Sequence, residues 1–431
     1  MGITYKVQPY KKESLKADVS LPGSKSITNR ALLLSSLAEG NTRLSNFLFS
    51  DDTVFMAKAL EQAGVSVEMN KEKNFCRVRG WSLPAGELSV FLGNAGTAMR
   101  FLTSYFTLGE GEFRLDGDER MRQRPIKDLL DALTQLGCNV ESENSDGCPP
   151  VRIVSRGMPG GECRVAGKFS SQYISSLLMA SPYSREGVTV RTAGSLSSGP
   201  YVDMTLAMMN QFSFQCERDG YREFRIRRGN YLSPGEYLIE PDASSSSYFL
   251  AGAAVLGGEI TVHGLGSRSI QGDVRFAMVL EKMGCSVEMR PDSIKLASDG
   301  KLNGISVDMN DIPDMVPTLA VSALFAEGPT IIKNVPNLRI KESDRLSALS
   351  AELKKIGAGI VENVDGIEIF PASRYNRTVL NTYNDHRLAM SFSIAGLKID
   401  GIEIDNPYCV SKTFPDFFFY FGRVFDNPLI F

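Results

Sequence analysis

Lysines and arginines recur in this chain within the polar stretches that lead into helix-like runs. Lys25 and Arg30 lie in GSKSITNR, Arg100 in GNAGTAMR and Arg387 in NDHRLAM. Arg120, Arg122 and Arg124 lie in DERMRQRP, Lys341 and Arg345 in IKESDRL, and Lys412 in VSKTFPD. The first four N–H groups of a helix have no intrahelical partner, and the helix dipole adds partial positive charge, so a helix start favours a phosphate or carboxylate. A cation beside such a start strengthens that preference. If several of these places converge, their ligand is small and carries more than one negative charge. Asp314 in IPDMVPT, and Glu342 and Asp344 flanking cations in KESDR, are the acid and base candidates. A carboxylate among cations ordinarily forms an ion pair with a depressed pKa, and it does chemistry only if it faces the ligand. Ser, Asn and Asp at a helix start ordinarily cap it, and the run Ser244–Ser247 is read as a cap or linker.

Those stretches belong to a repeat. GSKSITNR, GNAGTAMR, GKFSSQY, PDASSSSYF, PDMVPTLA and NDHRLAM begin at Gly23, Gly93, Gly167, Pro241, Pro313 and Asn384, 70 to 74 residues apart, and each runs into an apolar helix. Each helix precedes a strand-like segment (GNTRLSNF, GEFRLDG, GVTVRTAG, GEITVHG, GPTIIKN, GIEIDN) and then a second helix. Four second helices end in Leu, three residues and Gly, at Gly64, Gly137, Gly284 and Gly357, where Gly suits the left-handed position past a helix. The third copy has Phe212 there, and the sixth is read as a truncated version ending at Gly422. Alternating segments such as VSVEM, CNVES and CSVEM follow as strands. One unit is strand, helix, strand, helix, strand, strand. Six units exceed one ordinary core, which predicts two α/β domains of three units each. Residues 20–240 form the first, and 1–19 with 241–431 the second, to which TYKVQP adds a strand.

Composition narrows the partners. Forty-seven basic and 50 acidic residues give a net charge of −3 without a dense basic block, which argues against nucleic acid. The sequence shows no bilayer-length apolar run, no apolar signal segment, and Lys rather than Ser or Thr at the sixth position of a myristoylation motif that would begin at Gly2, so a cytoplasmic protein without lipid or membrane is expected. Cys76, Cys138, Cys148, Cys163, Cys216, Cys285 and Cys409 form no CxxC pair, and His263 and His386 are the only histidines, so neither disulfides nor a metal centre is expected. Neither GxxxxGK[ST] nor a strand-linked GxGxxG occurs.

LPGSKSITNRALLL, LGNAGTAMR, RQRPI, SSQY, GPYVDMT, EPDASSSSYF, IPDM, IKESDRL, NDHRLAMSF and VSKTFPDFF, in that order from about residue 7 to about 421, closely resemble the EPSP synthase family of enolpyruvyl transferases. The resemblance implies a two-domain inside-out α/β barrel, each domain three βαβαββ units, that closes on two small polyanions. It implies transfer of the enolpyruvyl group of phosphoenolpyruvate to the 5-hydroxyl of shikimate 3-phosphate, in aromatic amino acid biosynthesis, by a monomer without cofactor. By the same resemblance Lys25, Ser26 and Arg30 contact shikimate 3-phosphate, and Ser170, Ser171, Gln172, Ser198 and Tyr201 cradle its ring and phosphate. Asp314, Asn337 and Lys341 hold its hydroxyls and phosphate. Asn94, Gly96, Arg124, Arg345, Arg387 and Lys412 correspond to the phosphoenolpyruvate site, with Lys25 and Gln172 shared. Asp314 takes the hydroxyl proton, Glu342 handles the proton at the methylene carbon, and Lys25 participates.

Two departures stand out: Phe101 where the family often has Pro, and Gly199 where it often has Lys. The sister transferase that acts on UDP-N-acetylglucosamine typically carries a reactive Cys in the loop that here reads DERMRQRPI, and opens with Lys-Asn rather than Lys-Ser. A non-catalytic repeat scaffold binding phosphorylated ligands would account for the repeats and the cations, but not for Asp314 and Glu342 lying beside them.

Overall fold

Burial divides the helices into two kinds. The computed structural model describes residues 3–167 and 170–428, so Gly2 of the lipidation motif and Lys168 and Phe169 of the third opening lie outside the described residues. In chain order the helices are α1 Lys25–Leu37, α2 Asp51–Gln62, α3 Gly96–Phe106, α4 Lys127–Gln135, α5 Ser171–Ala180, α6 Gly199–Gln211, α7 Ala243–Leu256, α8 Phe276–Lys282, α9 Val316–Ser322, α10 Arg345–Ile356, α11 His386–Gly396 and α12 Phe417–Phe425. The odd-numbered helices follow the six openings, and every residue of α3, α9 and α11 is buried. Helices α1 and α5 each leave one residue outside the core, Ser26 and Gln172, and both sit in the first turn. A helix apolar all round belongs inside a core, and only its ends remain for polar work. The serines of α7 fit there because they bond backwards, Ser246 Oγ to the Ala243 carbonyl and Ser247 Oγ to that of Ser244, both at 2.7 Å. Most even-numbered helices bury one face; α4 buries only Leu129, Leu130, Ala132 and Leu133.

The chain forms two compact units: unit I is Gly23–Ile239, and unit II is Met1–Pro22 with Glu240–Phe431. Among the described residues each unit holds three sheets of one pattern, and unit II also a two-stranded parallel pair, Leu302–Asn303 with Ala326–Glu327. In Ala85–Phe91, Glu110–Asp116, Val151–Arg156 and Asn139–Ser142 the first pair is parallel and the rest antiparallel. Gly161–Ala166 with Val188–Ala193, and Ser306–Asp308 with Thr330–Lys333, start sheets of the same design. The sixth has three strands, with Thr4–Lys6 of the N-terminal segment pairing antiparallel with Ile402–Asp405. In both units the odd-numbered helices form the interior and the sheets the wall, a mixed α/β fold turned inside out relative to a barrel with a strand core.

Two strands change places. Leu15–Ser20, just before α1, pairs with Gly258–His263 after α7, whereas Glu236–Leu238, just before α7, pairs with Asn41–Ser45 after α1. Each unit is thus completed by a strand from beyond its own stretch of repeats. Gly64, Gly137, Gly284 and Gly357 are all left-handed, as the repeat requires. The sixth copy differs from the expectation: Gly422 lies inside α12, which ends instead at left-handed Asp426. Gly is needed at 422 because a Cβ there would lie 2.4 Å from the Asn427 carbonyl oxygen of the returning tail. In the third copy Ser213, after Phe212, takes the left-handed position.

Candidate active site

In unit I the starts of α3 and α5 meet. Ser170 caps α5 by accepting from the Gln172 amide at 3.2 Å, and Gln172 Nε2 reaches Thr97 Oγ1 in the first turn of α3 at 3.2 Å. No side chain caps α3. Two guanidiniums lie over its first residue. Arg100 donates to the Gly96 carbonyl at 3.0 Å and to that of Pro125 at 3.1 Å, while Arg124 donates to Asn94 Oδ1 at 2.9 Å. A Cβ on Gly96 would stand 2.6 Å from Arg124 Nη2 and 2.7 Å from Arg100 Nη1, so only Gly lets both cations reach the helix start.

Arg30 sits one turn inside α1 and is buried. It donates to Thr205 Oγ1 at 2.8 Å, the Ser26 carbonyl at 2.9 Å, the Tyr201 carbonyl at 3.2 Å and Ser175 Oγ at 3.4 Å. Its guanidinium also lies 5.1 Å from the centre of the Phe101 ring, which shows what the departure at 101 packs against. All these partners are uncharged, and burial pulls the Arg30 pKa down to about 10. A buried cation held by neutral acceptors retains much of its pull on an anion. Lys25 opens α1 with Nζ 3.4 Å from Asp52 Oδ2 at the start of α2. Ser198 precedes α6 in a left-handed conformation with φ 61°. A Cβ on Gly199 would lie 2.9 Å from Tyr221 Cζ, so the Tyr221 ring would have to shift to admit a side chain there.

In unit II three helix starts converge on one carboxylate. Asp314, in the turn before α9, lies 3.0 Å from Arg345 Nη1, 3.5 Å from Lys341 Nζ and 2.8 Å from Arg387 Nη2. Arg387, in the first turn of α11, also donates to Ser244 Oγ of α7 at 3.3 Å. Arg345 opens α10 and gathers Glu342 Oε2 and Asp385 Oδ2, each at 2.8 Å. Burial alone would lower the Arg345 pKa, but Asp385, Glu342 and Asp314 together raise it above the ordinary arginine value. The same Asp385 caps α11 through the Arg387 amide at 3.0 Å. Asn337 is buried, and its side-chain oxygen has no hydrogen-bond partner among the described residues. Lys412 is buried at the end of a short helical turn, Pro407–Lys412.

Several sequence candidates are placed away from these clusters. Asp344 caps α10 and pairs with Arg339 at 3.1 Å. Arg122 is half exposed and pairs with Asp116 at 2.7 Å. Ser245, Ser246 and Ser247 serve the architecture of α7, while Ser244 alone touches a cluster cation and also donates to Asp273. Sequence reasoning missed Asp385, Asp52, Ser175 and Thr205. Asp385 carries a signal, since Asp directly before a helix is a cap candidate. Thr205 carries none, because it lies a turn inside α6 and meets Arg30 only through packing. Among the described residues no group of three or more His, Cys, Asp or Glu is arranged for a metal, and no helix is long and apolar enough to cross a membrane.

Known proteins are similar to this chain along nearly its whole length. The 3-phosphoshikimate 1-carboxyvinyltransferase of Shewanella denitrificans is 49% identical over 414 residues, covering 95% of this chain and 96% of that protein. That of Shewanella halifaxensis is 48% identical over 423 residues, covering 97% and 99%. The solved EPSP synthase from Acinetobacter baumannii matches with a TM-score of 0.80 at 25% identity over 98% of each chain. The family model for EPSP synthase (3-phosphoshikimate 1-carboxyvinyltransferase) matches residues 9–420, so near-half identity and one continuous family match run through both clusters, and the chain belongs to the EPSP synthase family.

Proposed function

We propose that the protein transfers the enolpyruvyl group of phosphoenolpyruvate to the 5-hydroxyl of shikimate 3-phosphate, giving 5-enolpyruvylshikimate 3-phosphate and phosphate. Family membership supports the reaction, as does the name shared by its relatives. The observation that carries the residue roles is Asp314, a carboxylate touched by Lys341, Arg345 and Arg387 at once and still partly open.

The two substrates repel each other, so most of the work is positioning and charge stabilisation by a cationic shell. From unit I, Lys25, Ser26, Arg30, Ser170, Ser171, Gln172, Ser198 and Tyr201 are assigned to shikimate 3-phosphate. Arg30 suits a phosphate because its present partners leave its charge unmatched. Asn94, Gly96 and Arg124 are assigned to phosphoenolpyruvate, together with Lys25 and Gln172. From unit II, Asn337 and Lys341 join the shikimate set, and Arg345, Arg387 and Lys412 the phosphoenolpyruvate set. A proton added at the methylene carbon makes C2 electrophilic, and the 5-hydroxyl attacks it while Asp314 takes the hydroxyl proton. The tetrahedral intermediate then loses a proton from the new methyl group and expels phosphate as the C2–O bond breaks. Glu342, with Lys25, handles the proton at the methylene carbon. We also assign each repeat triplet to its own domain, 20–240 and 1–19 with 241–431, in a monomeric cytoplasmic enzyme.

Phosphate release from phosphoenolpyruvate, with shikimate 3-phosphate or UDP-N-acetylglucosamine as acceptor, tests this function. Release only with shikimate 3-phosphate is expected. Release only with the sugar nucleotide would move the acceptor, and release with neither would leave a ligand-binding scaffold.

A further inference from the structure

Glu352 lies on α10, seven residues after Arg345, and its carboxylate is fully buried. No candidate role above uses it. Its Oε2 accepts from the Asn381 amide at 2.9 Å and its Oε1 from the Tyr383 hydroxyl at 2.7 Å. Lys355 supplies the countercharge, with Nζ 2.7 and 2.8 Å from the two oxygens. Asn381 and Tyr383 belong to the short connection between the strand Thr378–Leu380 and α11. Within it Tyr383 and Asn384 are both left-handed, with φ 53° and 55°. A tyrosine holds such a backbone only where its surroundings impose it. The next residues are Asp385, which binds Arg345 and caps α11, and Arg387, which binds Asp314. Helix α10 therefore grips this connection twice, at its first residue through Arg345 and two turns later through Glu352.

We infer that Glu352 is a positioning residue for phosphoenolpyruvate: it holds the left-handed Tyr383–Asn384 pair so that Arg387 meets the substrate at a fixed place. The inference rests on the assignment of Arg387 to phosphoenolpyruvate. Helix α10 becomes a rigid bar that sets Arg345 by its own N-terminus and Arg387 by its middle. Lys355 gives this buried carboxylate its ionic partner beside the Asn381 amide and the Tyr383 hydroxyl.

The test uses the full chain with Glu352→Ala, Glu352→Gln and Tyr383→Phe, scored by separate KM values for the two substrates and by kcat. Glu352→Ala should raise the phosphoenolpyruvate KM about tenfold, and the two milder variants about threefold, with the shikimate 3-phosphate KM within about twofold of wild type. Amide hydrogen exchange across 381–387, measured without substrate, should be faster in Glu352→Ala and partly restored in Glu352→Gln. A folded Glu352→Ala with wild-type phosphoenolpyruvate KM overturns the inference, as do two KM values that rise together. If Glu352→Ala does not fold, Tyr383→Phe decides, because that ring is half exposed. A wild-type chain that turns over neither substrate would sink the proposed function, and unchanged exchange in the variants would still overturn the clamp independently.

Discussion

Arg30 in unit I and Arg345 in unit II hold buried positive charge in opposite ways, while Lys25 in unit I is already paired with Asp52. In unit I, Arg30 is held by hydroxyls, carbonyls and the face of Phe101, and Arg100 and Arg124 lean on carbonyls and the Asn94 side chain. In unit II, Arg345 is held by Asp314, Glu342 and Asp385, and Arg387 shares Asp314. A neutral cradle leaves a cation hungry for an anion but costs desolvation, which the lowered Arg30 pKa records. A carboxylate cradle offsets that cost by charge pairing and brings in groups able to take a proton. On the proposed roles, the neutral cradle of Arg30 suits capture of an anion, and the Asp314 cluster adds proton handling to it, although both are built on helix starts.

Asp314→Ala gives the largest expected effect on this comparison. A general base is worth about 10²- to 10⁴-fold, so kcat should fall by that order and far more than KM changes. If KM alone moves, Asp314 merely holds its three cations and the proton-handling half of the contrast is lost. Next come Arg345→Met and Arg30→Met, compared by denaturant unfolding. Removing Arg345 strands buried carboxylates and should cost about 3–5 kcal/mol, whereas Arg30→Met should stay within about 1 kcal/mol of wild type while losing shikimate 3-phosphate affinity. Equal losses would mean that Arg30 is neutralised after all. Asp344→Ala is the smallest. It removes a helix cap, so about 1 kcal/mol of stability should go while kcat stays within about twofold. A large fall in kcat there would move the chemistry from Asp314 and Glu342 to their neighbour.

Much of this was legible because it is local. The openings, the apolar helices behind them and the glycines at 64, 137, 284 and 357 each follow from chemistry within a few residues, and the structure shows them as read. Gly422 misled because an in-helix glycine required by the returning Asn427 carbonyl looks, in sequence, like a helix terminator. In KESDR, residue types and spacing alone did not separate Glu342 from Asp344, and the resemblance named Glu342. They differ by two positions, and the fold turns one toward Arg345 and makes the other a cap that pairs with Arg339.

By itself the sequence determined the repeat, its strand and helix periods and the family, because helix starts, turns and apolar patterns are written in neighbouring residues. Only the tertiary structure decided which strands these segments join: Leu15–Ser20 pairs with Gly258–His263 and Glu236–Leu238 with Asn41–Ser45, partners far along the chain that local pattern does not select. It also decided which cations meet carboxylates. Thr205 beside Arg30 and Asp385 beside Arg345 are brought there by helix packing, and ion pairing depends on distances that no spacing along the chain records.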